Sequence, residues 1–215
     1  MRGTRSTAIY LHANVPPDWY ALSIRNNLLQ RFWHTTRFRE VGKLVTPAGV
    51  VLDVGCADGT FTKVLLDRVH AQKIIGIDVL KNSIMFAKRR FARNKKISFR
   101  TADAHNLPFE NEMFDAVFCL EAIEHVVDPL RVMREMHRVL KKGGYTIVLV
   151  PSESLLFRII WWLWQKVPGK NIWEHTHLNN FSNDFLEELL TTSGFTVVGN
   201  KKFLLGMLYA VKAIK

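Results

Sequence analysis

Val51-Leu52-Asp53-Val54-Gly55-Cys56-Ala57-Asp58-Gly59-Thr60 is the stretch that decides the fold. Val50 to Val54 is a short apolar run rich in β-branched residues, which predicts a strand. The segment from Thr60 to Val69 predicts a helix, and the loop between them consists of small residues and one acid. Small residues let the backbone approach a ligand closely, and the first turn of the next helix offers unbonded N–H groups. By itself the pattern fits either a nucleotide-binding crossover or a tight turn with no ligand. No lysine follows the loop, which argues against an ATPase, and the missing third glycine weakens a nicotinamide-dehydrogenase reading.

Downstream, Lys73 to Val79 predicts a second strand and Ser83 to Arg93 a second helix. Ile97 to Arg100 and Phe114 to Leu120 predict strands three and four. Pro129 to Leu140 predicts a helix, Lys142-Gly143-Gly144 a turn, and Tyr145 to Val150 a fifth strand. Strands alternating with helices imply a parallel sheet covered on both faces, which is why the strands read as continuous apolar runs. Upstream, Asp18 is placed to cap one long helical stretch over 19–45, stopped by Pro47-Ala48-Gly49. After residue 151 the rhythm breaks. An apolar segment (155–164) leads to a polar loop, a helix at 182–193, and two strands near 195–200 and 203–212. Gly199-Asn200-Lys201-Lys202 is expected to join those strands as an antiparallel hairpin.

The chain has 215 residues, is 48% hydrophobic and 23% charged, and carries a formal charge of +11. That is the composition and length of one globular domain. The charge favours an anionic partner: nucleic acid, acidic lipid headgroups or an anionic cofactor. Two cysteines make no disulfide framework and suit a reducing, cytoplasmic setting. The first twenty residues lack the apolar core of a signal peptide, and no apolar run reaches the roughly 18 residues that span a bilayer.

Two acids sharpen the ligand. Asp78 ends the second strand about twenty residues beyond the loop, where a carboxylate can accept both ribose hydroxyls of an adenosine. Asp103 follows the third strand, where it can accept from an adenine amino group while the Ala104 N–H donates to the ring. Taken together these residues resemble the class I S-adenosylmethionine-dependent methyltransferases, specifically the "type 11" family. The likeness covers roughly residues 50–150. Leu107-Pro108-Phe109, Phe114-Asp115-Ala116-Val117, the Glu121 to Val126 stretch and Leu140 to Gly144 also look like the family. Ala57 departs from it, since glycine is commoner there; a negative φ at Ala57 would accommodate the methyl group.

The resemblance implies a Rossmann-like α/β fold: a seven-stranded, mostly parallel sheet with an antiparallel C-terminal strand and helices on both faces. It implies an S-adenosylmethionine site built from Asp53, Gly55, Cys56, Ala57, Gly59, Asp78, Val79, Asp103, Ala104 and Leu120. Arg37, on a helix that would close over the cofactor, is assigned to the methionine carboxylate. The implied organisation is a helical cap (1–47), a cofactor-binding core (48–150), a substrate lid (151–181) and a C-terminal helix with hairpin (182–215).

Glu121, Glu124 and His125 stand at i, i+3 and i+4, so a helical turn would put them on one face. Two carboxylates and an imidazole suit a divalent ion, and the spacing is similar to that of metal-assisted quinone-precursor and RNA 2′-O-methyltransferases. The reading adopted is metal-free, with His125 as base, Glu124 beside it and His175 reaching the site from above. Cys56 and Cys119 end neighbouring strands and read as reduced, buried thiols. Leu155 to Trp164 holds three tryptophans; it fits a lid over an apolar acceptor, an interfacial membrane helix, a dimer patch or plain core. Residues 81–100 carry eight cations and no acid, a solvated face or a surface for anionic membrane or RNA. Aromatic residues interleave poorly with those charges, which makes nucleic acid the weaker partner. The function expected is methyl transfer to a small, apolar acceptor of quinone or lipid-precursor type. RNA 2′-O-methylation and a non-catalytic module binding a partner or membrane are the alternatives.

Overall fold

A computed structural model of the chain describes residues 15–152, 178–179 and 181–215. His175, the Trp-rich segment 155–164 and most of the expected lid lie outside the described residues. Two helices come first, α1 (Trp19–Asn26) and α2 (Leu28–Val41). Alternating elements follow: β1 (Val50–Val54), α3 (Thr60–Arg68), β2 (Lys73–Asp78), α4 (Lys81–Arg90), β3 (Ile97–Thr101) and β4 (Phe114–Leu120). A 3₁₀ turn (Ile123–His125) leads to α5 (Pro129–Val139) and β5 (Leu140–Pro151), and α6 (Asn183–Thr192), β6 (Thr196–Phe203) and β7 (Leu208–Ile214) complete the order.

The seven strands form one sheet in the order β3-β2-β1-β4-β5-β7-β6. All pairings from β3 to β5 are parallel, and β7 runs antiparallel to both β5 and β6. This is the mostly parallel sheet with one antiparallel C-terminal strand that the sequence implies. Alternation along β1 feeds two cores, as the period of two in a strand requires. Leu52 and Val54 join Met133 and Met136 of α5 and Leu190 of α6 on one face. Val51 joins Leu65 and Leu66 of α3 and Ile84 of α4 on the other.

Four local expectations need correction. The stretch 19–45 is two helices, because Asn27 adopts an extended backbone (φ −133°, ψ 117°) and its side chain accepts from the Leu29 and Gln30 N–H groups to start the second. Asp18 sits at the N-cap of α1, but its side chain makes no capping bond. Lys142-Gly143-Gly144 is not a turn before β5 but an irregularity within it: Phe114 pairs with Leu140 and Ala116 already with Tyr145. The C-terminal hairpin bends later than expected. Gly199 to Lys202 belong to β6, and the chain turns at Leu204, Leu205 and Gly206, all at positive φ. The cysteines are free and buried as read, yet they lie in opposite cores.

β2 is the tightest point of the sheet. A Cβ on Gly76 would stand 2.8 Å from the Phe99 ring and 2.9 Å from Cys56 Sγ. Gly76→Ala therefore overpacks a core that cannot yield on either side. It should lower unfolding stability by about 1–3 kcal/mol, read by denaturant titration.

Candidate active site

The sheet order reverses between β1 and β4, and ligands of open α/β sheets gather in the crevice at that point, beyond the carboxyl ends of the strands. A cleft opens there, about 1060 Å³ counting space open to solvent. Its walls come from the loop after β1, the end of β2, the loop after β3, the turn after β4 and the residues that enter α1.

The loop after β1 is held from below. Gly55 and Cys56 both donate to the Ile77 carbonyl, at 2.8 and 2.9 Å. Gly55 has φ +78°, and a Cβ there would collide with the Ala122 Cβ, so glycine lets this loop close against the turn after β4. Ala57 has φ +45°, which corrects the expectation of a negative angle. Its N–H donates to Asp78 Oδ2 at 2.9 Å, while Asp78 Oδ1 accepts from Leu80 N–H at 2.8 Å. One carboxylate thus fixes the loop after β1 and the turn into α4 together. Asp53 is buried beneath the loop, where Thr62 Oγ1 donates to it at 2.6 Å. Burial, helped by the nearby Asp78 charge, pushes its pKa up to about 6.

The third wall depends on a residue the sequence reading passed over. His105 Nε2 accepts from the Asp128 N–H at 3.2 Å, which puts the ring proton on Nδ1, 2.6 Å from Asp103 Oδ1. His105 therefore orients Asp103 and ties it to the start of α5. The Asp-x-His spacing was the available signal. Asp58 was passed over too. It is buried in the cleft wall, accepts from Thr60 N–H at 2.9 Å, and accepts from Ala21 N–H of α1 at 2.8 Å. Asp58 thereby caps α1 from outside that helix, supplying the acceptor that Asp18 does not.

Gly55, Ala57, Asp78, Val79, Asp103, Ala104 and His125 all line the cleft. Asp53, Cys56, Gly59 and Leu120 sit behind its wall. Gly59 has φ +75° and Phe99 stands where its Cβ would be, so it shapes the entry to α3. Arg37 is not in the wall either. It is buried, lies 3.7 Å from the Phe61 ring centroid, and is ion-paired with Glu121, which does line the cleft.

Glu121, Glu124 and His125 do not share one face. Glu121 has φ +54° and turns to Arg37, Glu124 is buried, and His125 faces the cleft. Among the described residues no three His, Cys, Asp or Glu side chains gather around a point where one ion could sit. Glu124 and its surroundings form a second layer beside the cleft. Among the described residues, Glu124 Oε2, Arg37 Nε and both ring nitrogens of His34 are buried without a hydrogen-bond partner. Burial, only partly offset by backbone hydrogen bonding and Arg37, pushes the Glu124 carboxyl up to about 8. It pushes His34 down to about 2, which keeps that ring neutral. Tyr20, in the cleft wall, stacks edge-on to His34 at 5.5 Å.

The sheet order, the small-residue loop and the two acids at the ends of β2 and β3 define a class I nucleotide-binding methyltransferase site. Residues 52–148 match the family model described as "Methyltransferase domain". The demethylmenaquinone methyltransferase of Alkalihalophilus pseudofirmus is 30% identical over 177 residues, which cover 74% of this chain and 75% of that one. The malonyl-[acyl-carrier protein] O-methyltransferase of a Marinomonas species is 28% identical over 189 residues, 81% of this chain and 68% of that one. Among solved structures, a Haloferax volcanii methyltransferase described in complex with the Trm112 methyltransferase activator superposes with TM-score 0.73 at 20% identity, covering 95% and 96% of the two chains. An S-adenosylmethionine-dependent methyltransferase from Thermotoga maritima superposes with TM-score 0.65 at 22% identity, covering 91% and 99%. The chain belongs to the class I S-adenosylmethionine-dependent methyltransferases.

Ala57 carries a testable strain. A left-handed conformation costs a residue with a Cβ roughly 1–2 kcal/mol, and glycine loses part of that gain through its freer unfolded state. Ala57→Gly should raise stability by about 0.5–1 kcal/mol, measured as a higher denaturant midpoint at unchanged slope.

Proposed function

We propose that this enzyme methylates a small, largely apolar acceptor of quinone or lipid-precursor type. The observation that carries the reading is the mixed character of the cleft. Pro16, Trp19, Val126, Val127 and Val132 give it apolar walls, and the polar groups concentrate at the strand ends beside His125. The relatives' names, a demethylmenaquinone methyltransferase and a malonyl-[acyl-carrier protein] O-methyltransferase, support the same class.

Bound S-adenosylmethionine supplies an activated methyl group on a sulfonium. The chain's own contribution is placement. Asp78 accepts from the ribose hydroxyls, and Asp103 with the Ala104 N–H reads the adenine edge. The orphaned layer behind the cleft wall suits the amino-acid end of the cofactor: Arg37 and His34 would pair with its carboxylate, and Glu124 with its ammonium group. Leaving buried polar atoms unpaired costs about 1–3 kcal/mol each, so a zwitterion that pairs them gains affinity. Holding acceptor and methyl in contact contributes about 7–11 kcal/mol. His125 takes the proton that the acceptor loses. His175, in the segment outside the described residues, is the second proposed catalytic group. The cations of 81–100 and the Trp-rich segment support peripheral contact with an anionic membrane.

The decisive experiment is turnover with methyl-labelled cofactor against separate quinol, lipid and RNA pools. Label in the quinol or lipid fraction is expected; label confined to RNA overturns the acceptor class. Chelation should leave the rate unchanged, and His125→Ala should remove the single ionisation from the pH–rate profile. Restoration of a chelated enzyme by Mg²⁺ or Zn²⁺ would reverse the metal-free assignment.

Cofactor binding should itself move a proton. Glu124 holds its proton up to about pH 8 in the free protein. Pairing with an ammonium group favours the ionised form, so its pKa falls on binding. Binding at pH 7 should therefore release a proton, and affinity should rise with pH until about pH 8. Calorimetry in buffers of different ionisation enthalpy measures the release directly. In Glu124→Gln the release should vanish and affinity should fall about tenfold or more.

A further inference from the structure

The helical pair α1–α2 carries an apolar face that the cleft does not use. Leu28 and Leu29 expose 77% and 72% of their surface and Phe32 exposes 62%, with Leu22 beside them at 36%. Leu28 and Phe32 stand four residues apart and Leu29 next to the first, so the three form one ridge on the first turns of α2. Scattered exposed leucines are ordinary, but three large apolar side chains together on one helix end are a binding surface.

We propose that this ridge docks the enzyme on an anionic lipid surface. The charges around it choose this occupant. Arg25 and Arg31 flank the ridge and are exposed. From Trp19 to Lys43 the sequence has one acid, Glu40, and it is buried under Lys43 and Lys201 at 2.9 and 2.7 Å. An apolar ridge set among unopposed arginines matches a headgroup layer over acyl chains. A second copy of this chain matches it less well, because a two-fold contact through the ridge would gather Arg25 and Arg31 of both copies around one small patch with no acid there to offset them.

The face is also rigid before docking. Arg31 Nε donates to the Ile24 carbonyl at 3.1 Å and its Nη2 to the Arg25 carbonyl at 3.1 Å, bracing the end of α1 against α2. Asn27 caps the second helix. Little order remains to be acquired on binding, which favours affinity. The position suits a membrane-dissolved acceptor: Pro16, Trp19 and Tyr20, which lead into the pair, already line the cleft. Asp58 joins the same region to the basic helix α4, accepting from Ala21 N–H at 2.8 Å and lying 4.0 Å from Arg90. Lys81, Lys88 and Arg89 of that helix are exposed and add to the attraction. The inference rests on the reading that the acceptor partitions into membrane, but its decisive readout, vesicle binding, needs no acceptor.

The test is co-sedimentation of the full chain with phosphatidylcholine vesicles, with and without phosphatidylglycerol. The protein should pellet with the anionic vesicles, and added salt should release it. In Leu28→Ser/Leu29→Ser/Phe32→Ser, partitioning should fall at least tenfold, while cofactor affinity and turnover of a short-chain, water-soluble acceptor stay unchanged. Arg25→Gln/Arg31→Gln should lose most of the phosphatidylglycerol dependence. A parent protein that does not pellet overturns the proposal. So does a triple variant that pellets as well as the parent, which would move the contact to another surface. So does a parent that sediments as a dimer only while the ridge is intact. Each of these results leaves the acceptor class to be decided separately by the labelled-methyl assay.

Discussion

The Asp78 carboxylate accepts one backbone N–H from each of two crossovers, and the cleft depends on that grip. Without it, Ala57 would lose the bond that its own N–H makes in a left-handed conformation that an alanine disfavours. The segment of the loop beyond Cys56 would then lose its tie to the end of β2, and with it the cleft wall that Ala57 and Asp58 supply. Strain at Ala57 is sustained because its neighbours are over-determined: two bonds to the Ile77 carbonyl on one side, the α3 entry on the other. The same acid that the sequence nominates for ribose is thus first a structural clamp. A carboxylate oxygen accepts more than one hydrogen bond, so the two uses are compatible.

Electrostatics separate the cleft from the rest of the molecule. The chain is strongly cationic, yet Asp58, Asp78, Asp103 and Glu121 line the cleft, and Asp53 and Glu124 lie directly behind. Their proximity is visible in the shifts: Asp53 is held above its ordinary range partly by Asp78, and Tyr20 is pushed up to about 12 by burial with Asp58, Glu124 and Asp78 all contributing. Crowding acids in a poorly solvated site destabilises the empty protein and favours a cationic ligand. A sulfonium that also bears an ammonium group relieves that field. The arrangement gives a physical reason for a cleft of one sign inside a skin of the other.

Much of this was legible in the sequence, and the failures have identifiable causes. The places of the β1 loop, Asp78 and Asp103 in the cleft wall were readable because they follow from position at strand ends. The break at Asn27 was not, because Leu22, Leu28 and Leu29 continue an apolar pattern across it and only the backbone angle at Asn27 separates the helices. The hairpin was misplaced because Gly199 and the lysines look like a turn. On an edge strand the same residues are ordinary, since lysine and glycine blunt an exposed edge. Glu121, Glu124 and His125 were joined by helical spacing that the positive φ at Glu121 removes. Asp58 and His105 act through backbone partners distant in sequence, Ala21 and Asp128, and no local pattern announces such pairs.

Asp58 also explains why the amino-terminal helices belong to the site rather than merely preceding it. A helix as short as α1 is marginal by itself, and its free N–H groups need acceptors. Taking that acceptor from the loop after β1 makes the seating of α1 depend on the loop's own geometry, which Asp78 controls. Tyr20 and the buried layer of His34 and Arg37 are carried on the same helical pair, and Arg37 returns to the cleft through Glu121. The loop, α1 and α2 therefore form one mechanically continuous unit. A ligand that pairs the orphaned atoms of that unit stabilises the seated helices.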